Sequence, residues 1–228
     1  MIPISDALVS CPLFSGIVVD DLQGMLNCLG ARYMAYQKGE IILSEGEPAR
    51  DVGVLLSGGI QLIRTDYYGN RSIMMNICPG QLFAETFACA SAESLPVSVV
   101  ATDDCKALLL DCRRVLTSCC NACTFHSRII FNLLQIVAKK NLALHRKAMV
   151  TAKRTTRDKL MTYLLLQAKD AGRADFTIPF DRQGLADYLE VDRSGLSAEM
   201  SKLKKEGVLD YYRSGFRLLR VPEQACEE

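Results

Sequence analysis

The chain is poor in the residues that most enzyme chemistry needs. It holds two histidines in 228 residues, His126 and His145. The phosphate-binding loop, the G-x-S-x-G nucleophile elbow, the H-E-x-x-H zinc helix and the glycine-rich dinucleotide turn are all missing from it. No catalytic triad is expected, and the chain reads as a non-enzyme. No apolar run reaches the ~18 residues that a membrane span requires. The stretch MIPISDALVSCPLFSG lacks a basic leading region and a continuous apolar core, so no secretory signal is expected and a cytoplasmic location is inferred. Ten cysteines are many but fall short of a disulfide scaffold. Without a secretory route they read as reduced thiols, several of them packing as small hydrophobes.

The length suits two domains of ordinary size. The formal net charge of +1 is unevenly spread: residues 1–128 sum to −4 and residues 129–228 to +5. The basic half also holds the most informative stretch, FDRQGLADYLEVDRSGLSAEMSKLKKEGVL at 180–209. Leu185, Ala186 and Leu189 form the apolar face of a short helix, begun by Arg182 and Gln183. Val191 fills a turn. A second helix opens at Asp192 or Arg193 and repeats Leu196, Met200 and Leu203 at spacings of four and three, with Gly207 just beyond its end. Residues 208–219 read as a hairpin turning at Ser214-Gly215. A helix-turn-helix followed by a hairpin is a winged helix, and DNA is its expected partner. Arg193, Ser194 and Ser197 lie on the portion that enters a major groove, where they can reach base edges or phosphates. Lys202, Lys205, Arg213 and Arg217 are expected mostly on phosphates, and Arg182 and Gln183 complete the candidate DNA-binding set.

Ahead of this lie a helical stretch over 5–32 and a run of short strands with turns every 8–12 residues. The strands are expected at 41–43, 52–56, 60–65, 72–77, 97–101 and 105–111, with a turn beginning at Tyr36. A short turn of helix is expected at 113–118. From about Thr124 to Val150 the pattern is helical for ~27 residues, about 40 Å. Ile130, Leu134, Val137, Asn141, Leu144 and Ala148 recur in a heptad rhythm, which predicts a parallel homodimer seam in which Asn141 faces its mate. Ile129, Leu133 and Ile136 form a second stripe, suited to covering the β-structure. The expected architecture is α+β: an N-terminal antiparallel β-roll of jelly-roll type over 1–123, a dimerisation helix and hinge over 124–152, and a winged helix-turn-helix domain over 153–228.

Four stretches in this order resemble the CRP/FNR family of bacterial transcription regulators: QKGEIILSEGEPARDVGVLLSGGIQLIR, then PGQLFAE with VSVVATDDCKALLLD, then RTTRDKLMTYLL, then RQGLADYLEVDRSGLSAEMSKLKKEGVL. The resemblance covers nearly the whole chain. It implies promoter DNA, RNA polymerase and a small-molecule effector as partners, and an allosteric regulator as the product. In cAMP-binding members a glutamate takes the ribose hydroxyl and an arginine about ten residues later takes the phosphate, followed by a serine or threonine. Here the glutamate position falls on Glu85, the arginine position on Leu95 and the hydroxyl position on Pro96. No arginine occurs between Arg71 and Arg113. An effector other than cAMP or cGMP is therefore expected, with Glu85, Thr86, Leu95, Pro96, Val97 and Asn141 as its candidate contacts. Glu85 either meets that ligand or satisfies backbone amides. Many members read a base with an arginine at the position of Ala198, which shifts the expected reading toward Arg193.

No cofactor or metal is predicted. Some relatives carry an N-terminal cysteine cluster for iron–sulfur, which Cys11 and Cys28 alone do not supply. Cys112, Cys119, Cys120 and Cys123, with His126 nearby, have ligand-like spacing and support an alternative reading as a thiol or metal sensor. The other reading of them is plain packing, with His126 at the surface. A third possibility is a ligand-binding signalling module whose winged helix contacts protein.

Overall fold

The computed structural model describes residues 2–65, 67–68, 71–117 and 124–219. The chain divides into two units, residues 1–139 and 140–228, with the boundary inside the long helix. In the first unit α1 (Asp6–Val9), a 3-10 turn (Pro12–Phe14) and α2 (Val19–Cys28) come before the strands. These are β1 (Arg32–Tyr36), β2 (Ile41–Leu43), β3 (Asp51–Ser57), β4 (Ile60–Thr65), β5 (Arg71–Ile77), β6 (Leu82–Phe83), β7 (Ser98–Ala101) and β8 (Cys105–Asp111). Between β6 and β7 lies α3 (Glu85–Cys89), and α4 (Cys112–Leu116) follows β8.

The strands form two antiparallel sheets, ordered β1-β8-β3-β6 and β2-β7-β4-β5. The two-residue period of a strand explains how one sheet serves two cores. From β3 and β8, Val52, Val54, Leu56, Leu108 and Leu110 pack with Leu8, Leu13, Leu22, Leu26 and with Ile129 and Leu133 of the long helix. The alternate residues, Leu55, Ala107 and Leu109, turn to the other sheet and meet Ile42, Ile60, Ile77 and Val99. Gly53 lies on this inner side, and a β-carbon there would overlap the ring of Phe83. The close crossing of β3 and β6 therefore depends on glycine.

The long helix is α5 (Thr124–Thr151). Ile129 and Leu133 are buried and Ile136 packs on the same core, whereas Leu134 and Leu144 stand 65% and 66% exposed in the single chain. Val137 is half-buried against the core of the first unit.

The second unit continues with α6 (Thr156–Ala171), β9 (Asp175–Thr177), α7 (Arg182–Leu189), α8 (Arg193–Lys205), β10 (Leu209–Tyr212) and β11 (Gly215–Leu218). Thr155 caps α6, its hydroxyl oxygen accepting the amide of Asp158 at 3.1 Å. The three strands pair antiparallel in the order β10-β11-β9. Leu160, Leu164, Phe176, Leu185, Leu189, Leu196, Met200, Leu203 and Phe216 make one buried core. The hairpin turns one residue earlier than expected, at Arg213-Ser214, because Tyr212 and Gly215 already face each other in the ladder. Arg213 takes the left-handed backbone conformation there, with φ 53°.

Candidate DNA-binding and effector sites

The recognition helix is held by its caps. Asp181 Oδ1 accepts the Gly184 amide at 2.7 Å at the head of α7, and Asp192 Oδ2 accepts the Gly195 amide at 2.9 Å at the head of α8. Between the helices Glu190 adopts a left-handed conformation, φ 54°, which makes the tight turn. Asp192 also accepts a hydrogen bond from Ser194 Oγ, and these donors hold its carboxyl below the usual carboxylate range. From α6, Arg157 reaches across to α8, 2.6 Å from Glu206 and 3.5 Å from Glu199.

The cations sort into two groups. Arg193, Lys202 and Lys205 project from α8 exposed, and Arg213 stands exposed at the wing tip, its guanidinium 5.4 Å from the Tyr212 ring centre. The other candidates have protein partners, Lys204 and Arg217 while remaining exposed. Lys204 pairs with Asp210 at 2.5 Å, which raises the lysine and lowers the aspartate. Arg217 donates through Nη2 and Nε to one oxygen of Asp175, at 2.6 and 3.0 Å. Gln183 Nε2 donates to Asp187 at 2.8 Å.

Arg182, a DNA-contact candidate from the sequence, is half-buried. Its guanidinium donates to Met200 Sδ and lies 5.0 Å from the centre of the Tyr211 ring, so it packs α7 onto α8 and the wing. The two candidate serines also have local partners: Ser194 bonds Asp192, and Ser197 Oγ donates to the Arg193 carbonyl at 2.9 Å. The Asp-x-Ser-Gly order at 192–195 is the signal from which that cap could have been read.

In the first unit Glu85 opens α3, directly after the left-handed Ala84 (φ 60°), and is buried. Thr86 is exposed and its hydroxyl donates to Glu85 Oε1 at 3.2 Å. Leu95, placed among the effector contacts by its alignment position, lies in the hydrophobic core at 1% exposure. Its backbone is fastened to the loop after β2, the amide donating to Glu47 O at 2.8 Å and the carbonyl accepting from Gly46 at 2.9 Å. Val97 is buried as well, Pro96 is exposed, and Asn141 is exposed on the part of α5 that belongs to the second unit.

A cavity of about 440 Å³ opens between the N-terminal segment and α5, lined by Cys11, Ser15, Asn132, Gln135 and Lys139 among others. Asn132 is buried there and donates to the carbonyls of Leu13 and Ser15, both at 2.9 Å. Its signal in the sequence is a lone asparagine beside the stripe Ile129, Leu133 and Ile136, absent from the candidate residues above. Burial pushes the Cys11 thiol up to about 11.

Of the cysteine group, Cys119, Cys120 and Cys123 lie outside the described residues. Cys112 is buried. His126, expected at the surface, is buried at 3% exposure. Among the described residues no three His, Cys, Asp or Glu side chains come together as a metal site, and no helix is long and apolar enough to cross a membrane.

Comparison with known proteins bears on both units. Residues 33–119 match the cyclic nucleotide-binding domain, and residues 158–223 match the Crp-like helix-turn-helix domain. The transcriptional activator protein FnrL of Cereibacter sphaeroides is 25% identical over 187 residues, covering 78% of this chain and 72% of that protein. Among solved structures, the c-di-GMP responsive global regulator CLP of Xanthomonas campestris superimposes with a TM-score of 0.52 at 15% identity, over 90% of this chain and 100% of that one. The catabolite activator protein of Thermus thermophilus gives a TM-score of 0.48 at 21% identity, over 91% and 93%. With a cyclic nucleotide-binding-type sensor ahead of the long helix and a Crp-like winged helix after it, the chain belongs to the CRP/FNR family of DNA-binding transcription regulators.

Proposed function

We propose that the chain works as a homodimer whose first unit takes a small molecule other than cAMP or cGMP and, on binding it, sets the DNA affinity of the second. The observation that carries the choice of effector is Leu95. At the position where a cyclic phosphate would need its cation, the chain has an aliphatic side chain sealed in a core. A phosphate monoanion stripped of water and given no cationic partner is costly to bury. Glu85 and Thr86 keep a hydrogen-bonding pair at the head of α3, suited to a polar ligand. The exposed apolar side chains along α5, Leu134 and Leu144 among them, favour a helix seam between two copies.

In this reading the effector biases the arrangement of the paired α5 helices, and two copies of α8 then fall one DNA turn apart, about 34 Å. RNA polymerase is the partner that the promoter-bound dimer would meet. The test of effector class is a thermal melt with millimolar cAMP or cGMP, together with DNA affinity measured on sites selected from a random library. Neither nucleotide is expected to raise the melting temperature or the affinity. A clear rise in either overturns the exclusion.

A further inference from the structure

Two thiols far apart in sequence meet in the first unit. Cys89 ends α3, Cys112 opens α4, and their sulfurs lie 3.9 Å apart, with the Cys112 thiol donating to Cys89 Sγ. Neither is in a disulfide. Their access to solvent differs: Cys89 is partly exposed, whereas Cys112 is buried. The hydrogen bond from Cys112 lowers the Cys89 thiol below its ordinary range, and the same bond together with burial raises Cys112. Cys89 thus holds its proton less tightly than Cys112 and is the one of the two that a solute can reach. A disulfide needs its sulfurs about 2.05 Å apart, so closure asks for an approach of about 2 Å, which rotation of the side chains and a small shift of a five-residue helix can supply.

We propose that Cys89 and Cys112 form a peroxide-reactive dithiol that closes to an intramolecular disulfide and ties α3, the helix carrying Glu85 and Thr86, to α4. Cys89 thiolate attacks one oxygen of hydrogen peroxide; the O–O bond breaks and hydroxide leaves, taking a proton to become water. Cys89 is then a sulfenic acid. Cys112 sulfur attacks Cys89 sulfur, loses its proton and displaces the hydroxyl as a second water. The two thiols give up two electrons, and the peroxide takes both. Because α3 bears the candidate effector contacts, its fixation to α4 is a route by which oxidants reach the same control that the effector exerts.

Neither DNA nor effector is needed to detect the bond. Full-length reduced protein is treated with hydrogen peroxide, remaining thiols are alkylated, and a tryptic digest is sequenced by mass spectrometry. Residues 72–106 should be found joined to residues 107–113 with the loss of two hydrogens, and fragmentation should place the link on Cys89 and Cys112. The link should vanish in Cys89→Ser, persist in Cys78→Ser and reopen with dithiothreitol. In Cys112→Ala, Cys89 should stay a sulfenic acid that dimedone traps. The wild-type digest decides the matter even if a variant folds poorly. Cys112 remaining open to alkylation in unfolded, peroxide-treated wild-type protein overturns the proposal, as does a link of equal yield in Cys89→Ser.

Discussion

Replacing Leu134 and Leu144 together with aspartate should leave each chain folded and separate the two copies. Both side chains are about two-thirds exposed in the single chain, so neither contributes much to its own core. Full burial of a leucine is worth about 1.5–3 kcal/mol, so covering the open two-thirds yields about 1–2 kcal/mol for each. Two such residues from each of two helices give about 4–8 kcal/mol, which is about a 10³- to 10⁶-fold change in the dissociation constant. Aspartate adds the cost of desolvating four charges along one seam. Val137 lies on the same heptad but is a poorer choice. It packs on the core of the first unit, and its loss would confuse folding with assembly. The assay is sedimentation velocity over a range of concentrations, with circular dichroism as the check on folding. A folded double variant that still sediments as a dimer would refute the seam and move the interface elsewhere.

Arg193→Ala should cost about 1–3 kcal/mol on the best site and relax preference at one base pair, while Lys205→Ala should weaken every sequence by a similar factor. Affinities across a set of single-base variants separate the two, and a uniform loss in Arg193→Ala would assign that residue to the backbone. Gly53→Ala should destabilise the first unit by about 1–3 kcal/mol through overlap with Phe83, read by denaturant unfolding, with partial recovery in a Phe83→Leu background. Stability should also fall as pH rises from about 9 to about 11. The buried Cys11 thiol stays protonated until about 11 in the fold but ionises near its ordinary value of 9.0 when unfolded. The loss approaches about 2–3 kcal/mol for a shift of that size and should be missing in Cys11→Ala.

The parts of this fold most legible in sequence are those with long periods or chemical punctuation. α5, α7 and α8 each carry an apolar stripe over two turns or more, and Asp192 stands where the sequence opens α8. β6 and α3 are two and five residues long and too short to show a period, so their existence rests on pairing with β3 and on the core around Leu82 and Ala88. Tyr36 reads locally as the start of a turn but pairs with Cys105, because β8 supplies a partner that local sequence does not announce. The site residues show the same division. Which side chains are cationic is plain from the sequence. Which of them already have a partner is set by groups distant along the chain, such as Asp175 for Arg217 and Tyr211 for Arg182. Leu95 is the converse case: its residue type alone carries the proposed exclusion of cyclic nucleotides, and the fold adds that the residue is buried.

The pairing of Lys204 with Asp210 and of Arg217 with Asp175, and the inward turn of Arg182, have a consequence for how salt acts on this regulator. Arg193, Lys202, Lys205 and Arg213 are exposed on the recognition helix and wing tip, while Lys204 and Arg217, also exposed, already carry a carboxylate partner. Each DNA phosphate neutralised releases about 0.9 of a condensed counterion. If all four residues of both copies in the proposed dimer grip phosphate, about seven counterions are released, and affinity should fall about 10⁴-fold between 50 and 200 mM salt. A surface that used every arginine and lysine in the unit would be steeper still. With Lys204 and Arg217 already paired to surface carboxylates and Arg182 half-buried, a phosphate must compete for those three, so the ionic part of binding should rest mainly on the other four and promoter occupancy should depend less steeply on salt.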